Sequence, residues 1–270
     1  MKKTDSLTFI GIVVGLGLMG NAMMGGQGLK IFFDIPSIFI TVGGSFAALL
    51  ITYSIDDIKV MGKALSKSFN LSADSGKDIV LKFGEISKKA RREGLLSLED
   101  DINQIDDAFL KKGLQMVVDG IEPETIREIL ELEIDETEAR HSAASNMFKT
   151  WGAYAPGFGM IGTLIGLIQM LSADMSDAAT IASGMSKALI TTFYGSLMAN
   201  FMLNPFAQNL SIKSEKESNI RQMMLEGILA VQSGVNPRIV EEKLMTYLSP
   251  KERLEIQSSN ASGEGVSQDA

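Results

Sequence analysis

Pro156, Gly159, Thr163, Gly166 and Met170 fall at i, i+3, i+7, i+10 and i+14, so on a helix they form one stripe. A stripe of that kind has a chemical use. Proline leaves a backbone carbonyl without its helical partner, and in an apolar medium that carbonyl must be satisfied by protein or water. Glycines let another backbone come close, and the Thr163 hydroxyl both donates and accepts. The face therefore suits another helix or a hydrated path. A second run places Ala188, Thr192, Gly195 and Ala199 three or four residues apart, again on one face. Other chemistry has little to draw on. The 270 residues include no cysteine, hence no thiolate metal site and no cysteine nucleophile, and the one histidine, His141, cannot build a histidine metal centre. No glycine-rich phosphate loop, nucleophile elbow or basic, aromatic-studded patch for nucleic acid occurs. An enzyme is not expected.

These positions must be carried by four apolar runs, at about 7–24, 35–53, 153–171 and 188–206. Each is close to the ~20 residues that cross a bilayer. Of 25 Lys and Arg, all but Lys30 and Lys187 lie before the first run, between the second and third, or after the fourth. Positive residues stay cytoplasmic, which puts both termini and the block 55–150 inside and the loop SADMSDAAT outside. Lys2 and Lys3 ahead of an apolar run also fit a signal peptide. The run is long for that and lacks an A-x-A site, so it is expected to be retained.

The remainder reads as helical. In SLEDDINQI, Ser97 is placed to cap a helix with Glu99 and Asp100 in its first turn. Pro123 opens a helix with Ile126, Ile129, Leu130 and Ile134 at helical spacing. Asn236 and Pro237 repeat the device before Ile239, Val240, Leu244 and Leu248. The expected fold is an all-α integral membrane protein of four transmembrane helices in two hairpins. The domains are a hairpin at 1–54, a helical cytoplasmic domain at 55–150, a second hairpin at 151–206 and a helical tail at 207–253. The end, 254–270, is low in complexity and expected to be disordered. His141 is expected to face solvent or a neighbouring subunit, and Trp151 an interfacial belt.

Small residues recur along the apolar runs, as Gly11-x-x-x-Gly15, Gly43 with Gly44, and Gly162-x-x-x-Gly166. Close packing within the subunit explains them as well as contact with a partner does. No Asp or Glu falls inside any run; Asp34 and Lys187 stand at the outer starts of the second and fourth. Carboxylates on a proton or cation route normally sit within the spans. If ions move here, the titrating carboxylate must come from another chain.

The segments FFDIPSIFITVGGS, ARREGLLSLEDDI, FLKKGLQMVVDG, PGFGMIGTLIGL, ALITTFYGSLMANFMLNPFA and GILAVQSGVNPRIVEEKLMTYL resemble, in order and over nearly the whole chain, the flagellar stator A-subunits of the MotA and PomA family. The resemblance implies a motor part in the bacterial cytoplasmic membrane, with no cofactor and with H+ or Na+ as the transported ion. Five copies would surround a dimer of a MotB- or PomB-like single-span subunit bearing the missing aspartate. The cytoplasmic block would push the rotor protein FliG. It further implies an ion path with Thr163, Thr192 and Asp34, conformational coupling through Pro156 and Pro205, and a rotor interface with Arg91, Glu99 and the adjacent Arg92. Gly159, Gly162, Gly166, Gly195 and Ala199 would serve helix packing or face the partner. Thr163 points toward sodium, because hydroxyls and carbonyls can replace part of a hydration shell; protons stay open as the alternative. The second reading is an ExbB- or TolQ-like energising subunit, a group that usually has a single early span where this chain has a hairpin.

Overall fold

The computed structural model describes residues 6–24, 28–68, 75–172 and 177–264. Among them every regular element is helical. In order these are α1 (Ser6–Met23), a 3-10 turn (Leu29–Phe32), and α2 (Ile35–Ile38), which continues through a π-helical turn (Phe39–Gly43) into α3 (Gly44–Thr52). Then come α4 (Ile55–Ser68), α5 (Gly76–Glu93), a 3-10 turn (Leu95–Leu98), α6 (Glu99–Asn103) and α7 (Ala108–Val118). The long α8 (Pro123–Leu171) follows, then α9 (Ala178–Leu197), joined by a second π-helical stretch (Met198–Leu203) to α10 (Asn204–Gln232). The chain closes with α11 (Pro237–Met245) and α12 (Pro250–Glu264).

The chain divides into two compact units, one of residues 1–71 with 140–214 and one of 72–139 with 215–270. This differs from the boundary expected at 150/151, which falls inside α8. Ala144, Met147 and Phe148 bury against Leu49, Met61, Leu203 and Ala207, so burial ties residues after 140 to the apolar helices. The fourth apolar run likewise belongs to a helix that starts earlier, at Ala178, and does not stop at Pro205. The π-helical stretch ends two residues before that proline, at Leu203. Its wider turn suits a residue that lacks an N–H and whose ring crowds the preceding turn. Two stretches, Ile35–Thr52 and the α8 helix, are long and apolar enough to cross a membrane, and Leu7–Met23 forms a shorter apolar helix. The count of four expected from hydropathy is not reached on this criterion among the described residues.

The first unit is held at its cluster of Leu49, Met61, Phe148 and Leu203 by polar clips. The Ser145 hydroxyl donates to the Ala207 carbonyl at 2.8 Å. The Trp151 indole donates to Ser45 at 3.1 Å and lies 5.3 Å from the Phe46 ring. His141 is half-buried, with Nδ1 at 3.3 Å from the Ser214 hydroxyl of its own chain.

The second unit is a bundle around Phe83, Leu98, Leu110, Leu114, Ile126, Leu130, Met223, Ile228 and Leu244, all buried. Local sequence sets its elements. The Ser75 hydroxyl accepts the Asp78 N–H and Asp107 accepts that of Leu110, starting α5 and α7. Asn236 accepts the Arg238 N–H, and Pro237 then takes the first helical position of α11. Ile126, Leu130, Ile134, Val240, Leu244 and Leu248 are buried as their spacing requires, whereas Ile239 is 52% exposed. Two expectations are corrected here. Ser97 does not cap α6: a 3-10 turn precedes that helix, and the Ser97 hydroxyl donates to the Gly94 carbonyl at 2.7 Å. The segment from 254 onward continues α12 to Glu264, anchored by buried Ile256 and by Arg253, which donates to the Leu248 carbonyl at 2.9 Å. Residues 265–270 lie outside the described residues.

Candidate functional site

Glycine decides how α8 and α9 meet. A Cβ at Gly159 would lie 3.0 Å from the Thr191 carbonyl oxygen, one at Gly166 would lie 3.0 Å from both Ala188 N and Gly184 O, and one at Gly195 would lie 2.6 Å from Ala155 O. Gly162 faces the Thr191 side chain, and Ala199 is buried. The stripe is thus taken up by backbone-to-backbone contact of these two helices. Gly15 and Gly44 instead receive the rings of Phe201 and Phe158, while Gly11 meets nothing.

At this seam two hydroxyls come together. Thr163 Oγ1 lies 2.5 Å from Thr192 Oγ1, 2.9 Å from the Ala188 carbonyl and 3.1 Å from the Gly159 carbonyl. Each hydroxyl has one proton and two lone pairs, so the two threonines bring more acceptor sites than protons. The surplus is acceptor capacity, suited to a cation or to water. Thr163 is half-buried and Thr192 exposed, which puts the pair at the open edge of the seam. Thr191, buried beside it, donates to Ala188 O at 2.9 Å, and its own carbonyl accepts from Thr41 at 3.4 Å.

Asp34 is not joined to this pair by a hydrogen bond. Its Oδ2 accepts the Ser37 N–H at 2.9 Å and the Ser37 hydroxyl at 2.5 Å, capping α2. The turn that bears it is fastened by Tyr194, whose hydroxyl accepts from Asp34 N at 3.1 Å and donates to the Phe32 carbonyl. Tyr194 lies about 24 Å along the helix from Ala178, at ~1.5 Å per residue. Asp34 therefore meets the fourth apolar helix well along its length and not at its first turn. Sequence reading missed Tyr194, because partners 160 residues apart leave no periodic signal. Pro156 is half-buried inside α8, with its Cα 3.2 Å from where a Gly195 Cβ would stand. Pro205 is exposed at the start of α10.

In the second unit Arg91 and Arg92 occupy the last turn of α5, and Glu99 the first turn of α6; all three are exposed. Charges of those signs favour those helix ends. Gly94, at φ +86°, makes the sharp turn between them. Lys89 reaches across to Asp101 at 2.8 Å, and this hydrogen bond raises its pKa. Lys88, Arg91, Arg92 and Arg238, with Asn236 and Pro237, line an open cleft of about 480 Å³. Lys88 is paired with Glu241 at 3.4 Å. Arg238 was read only as part of a helix start; its nearness to Arg91 and Arg92 depends on the packing of α11 against α5. Elsewhere in this unit, burial would raise the Glu226 carboxyl, but its bonds to Lys243 and Arg127 outweigh that and hold it below its ordinary value.

Residues 101–223 match the MotA/TolQ/ExbB proton channel family. Motility protein A of Borreliella burgdorferi is 44% identical over 253 residues, spanning 93% of this chain and 97% of its own. This chain belongs to the motility protein A family. Chemotaxis protein PomA of Vibrio alginolyticus is 36% identical over 93% of the chain and 99% of its own length. The flagellar MotAB stator complex from Bacillus subtilis contains a chain of similar fold, with TM-score 0.88 and 35% identity over 93% of this chain and 99% of that one. Ion conduction in a flagellar stator is the function that motility protein A membership carries. It is the work of a channel and motor part and not of an enzyme class.

Proposed function

We propose that the chain is a four-span A-type stator subunit that conducts H+ or Na+ together with a single-span B-type partner. The observation that carries this reading is the Thr163, Thr192 and Ala188 oxygen cluster, set among apolar runs that contain no Asp or Glu. Such a wall orders a hydrated ion but cannot bind and release a proton itself, so the titrating aspartate belongs to the partner. The distribution of Lys and Arg supports an inner-membrane placement with both termini cytoplasmic. Five copies surround a partner dimer, and ion passage steps the ring around it. Asp34 collects cations by its charge. Pro156 and Pro205 transmit ion arrival, the former beside the tight Gly195 contact and the latter after a π-helical stretch. Such stretches are frequent at functional sites. Arg91, Arg92 and Glu99, joined by Arg238, face the rotor protein FliG, where exposed charges steer contact and fix register.

The test is swimming speed in a stator-deleted host carrying this chain with its own B-type partner. External sodium is varied at fixed proton-motive force. Speed that saturates with sodium and vanishes without it makes the threonine pair a sodium path. Speed that ignores sodium and follows the proton gradient makes the pair a water-ordering wall. Absence of rotation with either ion, despite assembly, overturns the proposal.

A further inference from the structure

We infer that Tyr194 is a positioning residue for ion capture, acting through Asp34. The inference rests on the stator reading above. The Tyr194 hydroxyl makes two hydrogen bonds to the backbone on either side of Phe33, accepting from Asp34 N–H and donating to the Phe32 carbonyl. The Phe32 ring lies 5.8 Å from that of Phe193, and Phe193 lies 6.0 Å from Tyr194, so aromatic contact holds the same turn. Asp34 in turn is rigid with respect to α2, because its Oδ2 takes both the N–H and the hydroxyl of Ser37, a residue 1% exposed. Its Oδ1 accepts no hydrogen bond among the described residues, which leaves one carboxylate oxygen for a cation. The Tyr194 hydroxyl, with the Phe32–Phe193 contact and the Thr41 bond to the Thr191 carbonyl, ties that carboxylate to the helix that carries Thr192. A carboxylate held in place at the mouth of an ion path, where the stator reading puts Asp34, raises the local cation concentration. One that drifts with a loosened turn does so less well.

The experiment measures rotation speed against external ion in the stator-deleted host, for Tyr194→Phe, Asp34→Asn and the double variant, each with its B-type partner. The Phe ring keeps the aromatic contacts and removes only the hydroxyl. Tyr194→Phe is expected to raise the half-saturating ion concentration about fivefold, the worth of roughly one hydrogen bond, while saturated speed stays within about twofold. The double variant should be no worse than Asp34→Asn, because the tyrosine acts through the aspartate. An unchanged half-saturation, effects that multiply in the double variant, or a fall confined to saturated speed would each overturn the assignment while leaving the stator reading intact. Wild-type chain that turns no rotor with any ion overturns the stator reading, and this inference with it.

Discussion

Thr163 shows how a single side chain serves packing and chemistry together. Its hydroxyl touches three oxygens, two of them carbonyls already engaged in their own helices, so deleting it leaves no buried donor stranded. Thr163→Val is therefore expected to change thermal stability by about 1 kcal/mol or less, as read by unfolding of the purified complex. Ion dependence of rotation should shift strongly, and Thr163→Ser should restore it by returning the hydroxyl. A variant that loses stability and rotation in parallel would make Thr163 a packing residue. Glu226 is a second case. Its folded-state pKa is depressed by Lys243 and Arg127, so its stabilising contribution is present above the unfolded carboxylate value and is lost as pH falls through the lower folded value. Glu226→Gln should lower the melting temperature at pH 7. The gap from wild type should begin to narrow as pH falls below about 4.3, the ordinary glutamate value.

Among the elements, the α8 and α9 pair is the contact that tolerates least. Gly195→Ala places a methyl 2.6 Å from a backbone oxygen, which no side-chain rotation relieves. Overpacking of this kind costs about 1–3 kcal/mol, and here it also separates Thr163 from Thr192. The expected result is a destabilised, non-rotating complex. Gly11→Ala meets open space in the isolated chain and should leave its stability within about 0.5 kcal/mol. Equal effects in the two variants would contradict this assignment of the seam. The turn at Gly94 is another such element. A side chain there is strained at φ +86° and ψ 165°, a nearly glycine-only region, costing about 1–3 kcal/mol. It would also displace Arg91 and Arg92 relative to Glu99.

For the whole molecule, the proposed ion path lies in the first unit and the charged cleft in the second. Reversing charge in the cleft, as in Arg91→Glu with Arg238→Glu, should reduce torque while leaving ion flux through the assembled complex close to wild type. Paired flux and torque measurements check this. A matching loss of flux would mean that the cleft residues act on channel structure and not on the rotor. Arg91 and Arg238 are exposed on the cleft, where surface charges carry little stability, so the double reversal should not unfold the bundle.

The helical elements, their capping at Asn236 and Pro237, the buried face at Ile126, Leu130 and Ile134, and the lack of a carboxylate in the apolar runs were legible in the residues alone. These are local or compositional properties, fixed by spacing along a single helix. Spacing says which residues share a face but not what lies across from it. Hence the threonine pair, 29 residues apart, the anchoring of Asp34 by Tyr194, 160 residues away, and the approach of Arg238 to Arg91 emerge only when the helices pack. The same holds for where the units divide, because that depends on which side chains of α8 find burial and not on where polarity changes along the chain. The 3-10 turn that displaced the expected Ser97 cap belongs with these. Leu98, 1% exposed, is drawn into the bundle core, and burying that side chain outweighs a single exposed capping bond.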